Sequence, residues 1–171
     1  MMKRQTRWGI GVALGLSLGV GGWSTYVRLF PHRDFLPAPK EKGQRVPLFS
    51  GRTLDGHRFH FIPTQSDHNL LIFWASWCAP CAQETPSLVA MAKRNSDWKI
   101  TAISNDSDQK EVLNFLKIFP GLRAPNISLI WDSDEEIANQ FGLTGLPESF
   151  LVDRNGLLIQ KFVGTVDWDR F

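Results

Sequence analysis

Apolar residues change their spacing several times along the chain, and each change marks a predicted element. Trp8 to Val27 is a run of twenty residues without an ionised side chain. At helical rise it nearly spans a bilayer core. From Arg28 to Pro47 the apolar positions thin out among four prolines and several charges, which predicts an extended spacer. The pattern then becomes globular. Leu48-Phe49 and Phe59 to Ile62, on either side of Leu54-Asp55-Gly56, predict an opening hairpin. Asn69 to Ala75 is a short continuous apolar run, as expected of a central strand buried on both faces. A helix is predicted from Ala79 to Asn95, with Pro80 tolerated in its first turn and Pro86 producing a kink. Strands follow at Trp98 to Ser104 and Ile127 to Trp131, with helices at Asp108 to Phe119 and Asp134 to Phe141. Two final strands, Ser149 to Val152 and Leu157 to Val163, flank the turn sequence Asp153-Arg154-Asn155-Gly156. Helices alternating with strands and a closing hairpin predict an α/β domain: a central mixed β-sheet flanked by helices, with an N-terminal hairpin extension.

The front of the chain divides by the same pattern. Residues 1–7 carry Lys3, Arg4 and Arg7 ahead of the apolar run, so they are expected on the cytoplasmic side, with 8–27 as a transmembrane signal anchor. A cleaved secretory signal is the alternative, but it would be shorter and end in an Ala-x-Ala-like site, which is missing here. Trp23 and Tyr26 suit interfacial anchors, and Gly11, Gly15 and Gly19 fall four apart, a stripe on which a second helix could pack or simply a Gly-rich insertion segment. Residues 28–47 form the linker and 48–171 the domain.

Charge follows this division. Through Arg45 there are eight Lys or Arg against two acids, and beyond it eleven against fifteen, leaving the front segment at +6 and the domain at −4. The basic balance therefore belongs to the N-terminus, and nucleic-acid binding by the domain is excluded as its cause.

The two cysteines of the chain, Cys78 and Cys81, lie three apart where the buried strand ends and the first long helix begins. Unpaired N–H groups and the macrodipole at a helix N-terminus stabilise a thiolate, so Cys78 is the predicted nucleophile. Cys81, inside the first turn, can attack a mixed disulfide on Cys78 and release the product. A zinc site would need further ligands, yet all four histidines precede Cys78. A purely structural disulfide would close too short a loop to restrain the unfolded chain much. Inert core cysteines would not require this strand-end, helix-start location. Trp77, beside Cys78, is expected to form an exposed apolar rim for partner docking, and His57 and His60 to lie on a solvated strand. Glu84, three residues after Cys81, can share its helix face. It either tunes the thiols and accepts the Cys81 proton, or is a solvated acid that complements the helix dipole.

The run Phe73-Trp74-Ala75-Ser76-Trp77-Cys78-Ala79-Pro80-Cys81, with Glu84, Pro86 and the downstream Gly145-Leu146-Pro147-Glu148-Ser149-Phe150-Leu151-Val152-Asp153, resembles the thioredoxin superfamily. In particular it resembles the membrane-anchored TlpA-like, ResA-like and DsbE-like thiol-disulfide oxidoreductases. The resemblance covers roughly Leu48 to Val163. It implies a thioredoxin-like fold, a domain held extracytoplasmically at the inner membrane, and reduction of disulfides in envelope partners such as apocytochromes, with a membrane electron donor re-reducing the pair. No cofactor or metal is implied. It further implies a cis bond between Leu146 and Pro147, placing the Leu146 backbone beside Cys78 for strand-like pairing with a substrate. Resemblance to relatives with Glu at position 84 favours the tuning role. Two departures stand out. Ile72 occupies the strand position where relatives place a buried Asp or Asn, and the family's final helix, opening near Asp167, must be short or absent, leaving part of one sheet face less covered. A thioredoxin-like copper metallochaperone is the binding-class alternative, although such proteins add a histidine after the cysteine pair. A peroxidase of related fold would need a threonine and an arginine around a single cysteine, and neither surrounds Cys78 in that arrangement.

Overall fold

The computed structural model describes residues 38–63 and 66–171. The basic N-terminus, the apolar run 8–27 and the first part of the linker lie outside the described residues. Among the described residues no helix is long and apolar enough to cross a membrane.

Seven strands form one sheet in the order β2-β1-β5-β4-β3-β6-β7. They are β1 (Ser50–Thr53), β2 (Arg58–His60), β3 (Asn69–Trp74), β4 (Lys99–Ser104), β5 (Ile127–Trp131), β6 (Glu148–Val152) and β7 (Leu158–Val163). The core β3-β4-β5 is parallel and the flanking pairs are antiparallel, so the sheet is mixed, as the sequence predicts. Every residue of β3 is buried, because helices connect the parallel strands and cover both faces.

Alternation along the strands then sorts the core into two layers. Leu70, Ile72, Trp74, Ile100 and Ala102 face α1 (Ala79–Arg94) and α2 (Gln109–Ile118), meeting Leu88, Met91, Val112 and Phe115. Leu71, Phe73, Ile103, Ile130 and Phe150 face α3 (Glu136–Phe141) and the residues around the opening hairpin, meeting Phe141, Ile137, Phe49 and Phe61.

Local chemistry explains the ends. Asp108 caps α2, accepting the Lys110 N–H at 2.9 Å. Asn126 donates to the Ala92 carbonyl at 2.9 Å, satisfying the exit of α1. The helix α1 runs on through Pro86 to Arg94 as one element. In the β6–β7 turn the Asp153 carboxylate accepts the Asn155 and Leu157 N–H groups, each at 2.8 Å, and Gly156 adopts φ 79°, a left-handed conformation that glycine takes without strain.

Three local expectations need correction. The expected helix from Asp134 begins at Glu136, because the buried Asp132 carboxylate takes the Ile137 and Ala138 N–H groups and fixes the first turn there. The expected spacer ends earlier than Pro47. Gly43 donates to the Leu158 carbonyl at 2.8 Å, Val46 to Gly156 at 3.0 Å, and Val46 is fully buried, so residues 43–46 already belong to the fold. The final helix is reduced to a single 3-10 turn, Trp168–Arg170, but the sheet face is not left bare, since Trp168 is fully buried in the α1 layer.

Candidate active site

The cysteines sit at the carboxyl end of the parallel strands. β3 ends at Trp74, the chain loops through Ala75-Ser76-Trp77, and α1 starts at Ala79 with Cys78 as its N-cap. Cys78 and Cys81 form a disulfide, with Cα atoms 5.3 Å apart. Cys78 Sγ also accepts the Cys81 N–H at 3.2 Å, so the sulfur occupies the place of a capping oxygen and faces the helix's free N–H groups. In the reduced state that placement favours a thiolate on Cys78. In the disulfide both cysteines are buried, Cys78 at 5% exposed and Cys81 at 1%. Trp77 supplies the exposed surface instead, at 69%.

A buried carboxylate that sequence reasoning missed holds this loop. Asp106 accepts the Ser76 N–H at 2.9 and 3.1 Å, the Ser76 hydroxyl at 2.6 Å and the Ser104 hydroxyl at 2.7 Å. Its own carbonyl accepts the Trp131 indole N–H at 2.7 Å. The signal available was polar Ser104-Asn105-Asp106 at the end of a parallel strand, where open α/β sheets gather their sites.

The second loop at this end is Thr144 to Glu148. The Leu146–Pro147 peptide is cis. Phe73 pairs with Glu148, so one further step of the register sets Pro147 across from Trp74, at the strand end from which the cysteine loop leaves. The Pro147 carbonyl accepts the Gly164 N–H at 2.9 Å. Leu146 is partly buried against both core layers. Glu148, quoted in the motif but given no role, is fully buried. It accepts the Thr144 N–H at 2.9 Å and hydroxyl at 2.5 Å, and pairs with Lys161 at 2.7 Å. Burial works against its charge, but the Lys161 ammonium and the Thr144 donors outweigh that and hold its pKa below the usual range.

Glu84 lies beneath the pair. It is 3% exposed, so it is not a solvated acid of the first turn. Its Oε2 accepts the Val166 N–H at 2.9 Å, whereas Oε1 is buried without a hydrogen bond among the described residues. Burial pushes its pKa up to about 7, opposed by the Val166 N–H and more weakly by the Trp168 indole. A cavity of about 10 Å³, room for one water-sized centre, is lined by Ile72, Trp74, Cys81, Glu84 and Thr85 among others. The carboxylate missing at Ile72 is therefore present from the helix side of the same cavity. Such a group, half-protonated near neutrality and beside Cys81, suits proton exchange with that thiol.

His57 and His60 lie on the exposed hairpin, far in sequence and sheet order from the cysteines. Among the described residues no three His, Cys, Asp or Glu side chains gather as a metal site.

Residues 66–158 match the family model described as thioredoxin-like. Among curated proteins, the chain is 27% identical to thiol-disulfide oxidoreductase ResA of Bacillus thuringiensis, covering 96% of this chain and 91% of the relative. It is 24% identical to the thioredoxin-like protein YneN of Bacillus subtilis, over 94% and 91%. Among solved structures, a Chlorobium tepidum protein described as a candidate thiol:disulfide interchange protein DsbE superposes with a TM-score of 0.67 at 27% identity, covering 77% of this chain and 92% of that one. A secreted Mycobacterium tuberculosis disulfide oxidoreductase shares the fold with a TM-score of 0.63 at 22% identity, over 71% and 90%.

Proposed function

The chain belongs to the thioredoxin-like family and is a thiol-disulfide oxidoreductase, and from that premise we propose that it works as a reductant of disulfides in extracytoplasmic proteins, tethered to the membrane through residues 8–27. The observation that carries this reading is the Cys78–Cys81 disulfide at the N-terminus of a sixteen-residue helix, with the buried Glu84 on the Cys81 side.

In the reduced protein the Cys78 thiolate attacks one sulfur of a partner disulfide. A mixed disulfide forms and the partner's other sulfur leaves as a thiolate. Cys81 then gives its proton to Glu84 and attacks Cys78 Sγ, which releases the partner's second sulfur as a thiolate and leaves the domain oxidised. Two electrons have passed to the partner, and a membrane electron donor restores them. Glu84 suits this step because only its ionised form can accept the Cys81 proton, and a pKa pushed up to about 7 leaves that form available near neutral pH while making it a better base than an ordinary carboxylate. Trp77 and the Leu146–Pro147 backbone would hold the partner chain by apolar contact and strand-like hydrogen bonds. Apocytochrome c, with its paired haem-attachment cysteines, is the finer substrate reading, and it comes from the resemblance to cytochrome-maturation relatives.

Removing only the resolving thiol tests the mechanism. A Cys81→Ala variant should accumulate covalent complexes that dissolve on adding reductant, because the fast intramolecular escape is gone. Cys78→Ala should accumulate none. Complexes that depend on Cys81 instead would reverse the assignment. Recovery of a cytochrome precursor supports the narrow substrate reading, and a mixture of unrelated envelope proteins supports a general reductase. A reporter fused after Phe171 should be active only outside the cytoplasm.

A further inference from the structure

The segment that carries the cis proline is held by the Gly164 N–H on the Pro147 carbonyl, by the packing of Leu146 and by one buried carboxylate. Gly142 ends α3 at φ 58° with Ala38 close against it, whereas Gly145 has open space where a Cβ would be. Glu148 closes this segment on itself. Its Oε1 takes both the N–H and the hydroxyl of Thr144, while its Oε2 is paired with Lys161. The three residues meet because β6 and β7 are in register: Phe150 lies opposite Lys161 and Glu148 opposite Val163, which sets Lys161 diagonally from Glu148 on the same face. The Lys161 ammonium stands 5.1 Å from the Phe150 ring centroid, so the cation is fixed by the core as well as by the carboxylate.

We propose that Glu148 is a positioning residue for partner proteins: with Thr144 and Lys161 it fixes the Thr144–Glu148 loop, so that the Leu146 backbone is already aligned for a partner strand. The inference rests on the exchange reading above and adds a division within it. A small disulfide needs only Cys78, whereas a polypeptide must also pair with Leu146, and that pairing gains most when the loop is ordered before binding. Glu148 itself does not touch the substrate. It is buried and acts through the loop.

The test compares two substrates on the full chain, pre-reduced: insulin as the protein disulfide and bis(2-hydroxyethyl) disulfide as the small one. Glu148→Ala should lower kcat/KM for insulin about tenfold, the scale of losing one aligned hydrogen bond, mainly through KM. The rate with the small disulfide and the reduction potential of the Cys78–Cys81 pair should stay at the parent's values. The double variant Glu148→Gln with Lys161→Met keeps an acceptor for Thr144 without leaving a buried charge unpaired, and it should recover the insulin rate. Equal losses with both substrates, or an insulin rate untouched by Glu148→Ala, would overturn the proposal. A parent protein inert to both disulfides would instead overturn the exchange reading, and this inference with it.

Discussion

Glu84 and Glu148 are the same side chain, buried to nearly the same degree at 3% and 0% exposed, at the same end of one sheet, yet their acidities move in opposite directions. Both lose hydration. Glu148 recovers it from an ammonium, a hydroxyl and an N–H, and stays ionised. Glu84 receives a single backbone N–H on one oxygen and is pushed up to about 7. Burial sets the penalty, and the partners decide whether it is met. One carboxylate is consequently suited to holding a loop and the other to moving a proton.

The comparison breaks hardest at Lys161. Lys161→Met leaves the Glu148 carboxylate buried and unpaired, which should destabilise the domain by about 3 kcal/mol at neutral pH, measured by urea unfolding. The sign of the pH dependence should invert as well. In the parent, Glu148 has a lowered pKa and adds stability that is lost as pH falls through the folded value. In the variant its pKa is raised, so the loss comes as pH rises instead. An unchanged midpoint would mean that the ion pair does not matter to Glu148.

Glu84→Gln should act in the opposite sense and more weakly. The folded protein binds the Glu84 proton more tightly than the unfolded chain, so this group's contribution is full below about pH 4.5 and is lost as pH rises through about 7. The variant should flatten that decline and be more stable than the parent by about 1–3 kcal/mol at pH 8. Its resolving step should slow and lose its dependence on pH near neutrality, as read by single-turnover kinetics. Stability curves that coincide at every pH, with an unchanged resolving step, would remove Glu84 from the mechanism.

The smallest effect should come from an ion pair left in water. Arg154 donates twice to Asp67, each at 2.6 Å, but the two side chains are 49% and 61% exposed. Arg154→Ala should leave the unfolding midpoint unmoved and give no pH-dependent difference beyond the carboxylate range, because water already screens this pair. A loss comparable to that of Lys161→Met would mean that geometry, rather than burial, separates these sites.

What the sequence revealed followed how local each signal is. The apolar run at Asn69 to Ala75, the Asp153-Arg154-Asn155-Gly156 turn and the cysteine pair at a helix start all state their structure within a few residues, and each element is where it was expected. Glu84 was half legible. Its spacing from Cys81 gave the face, but its cover comes from Val166 and Trp168, which only folding brings there. Asp106, Thr144 and Lys161 carried no local signal, because their roles depend on strand register and on where β4 ends beside β3. Residues 43–46 misled for the opposite reason. A composition of charges and prolines reads as spacer, while three backbone hydrogen bonds to residues 156–158 make it part of the domain.

That strap gives the domain a polarity. Residues 43–46 lie beside Gly156 and Leu158, at the end of the sheet where Asn69 faces Val152, and the chain has met the fold before them, since Pro39 is buried and Ala38 lies against Gly142. The disulfide and Pro147 lie at the other end, past Trp74 and Glu148, roughly 15 Å away along β6 at the usual rise per residue. The strap and the chemistry therefore occupy opposite ends of the sheet. A bulky partner can approach the cysteines without displacing residues 43–46, so the hydrogen bonds of that strap and the docking of a partner stay independent of each other.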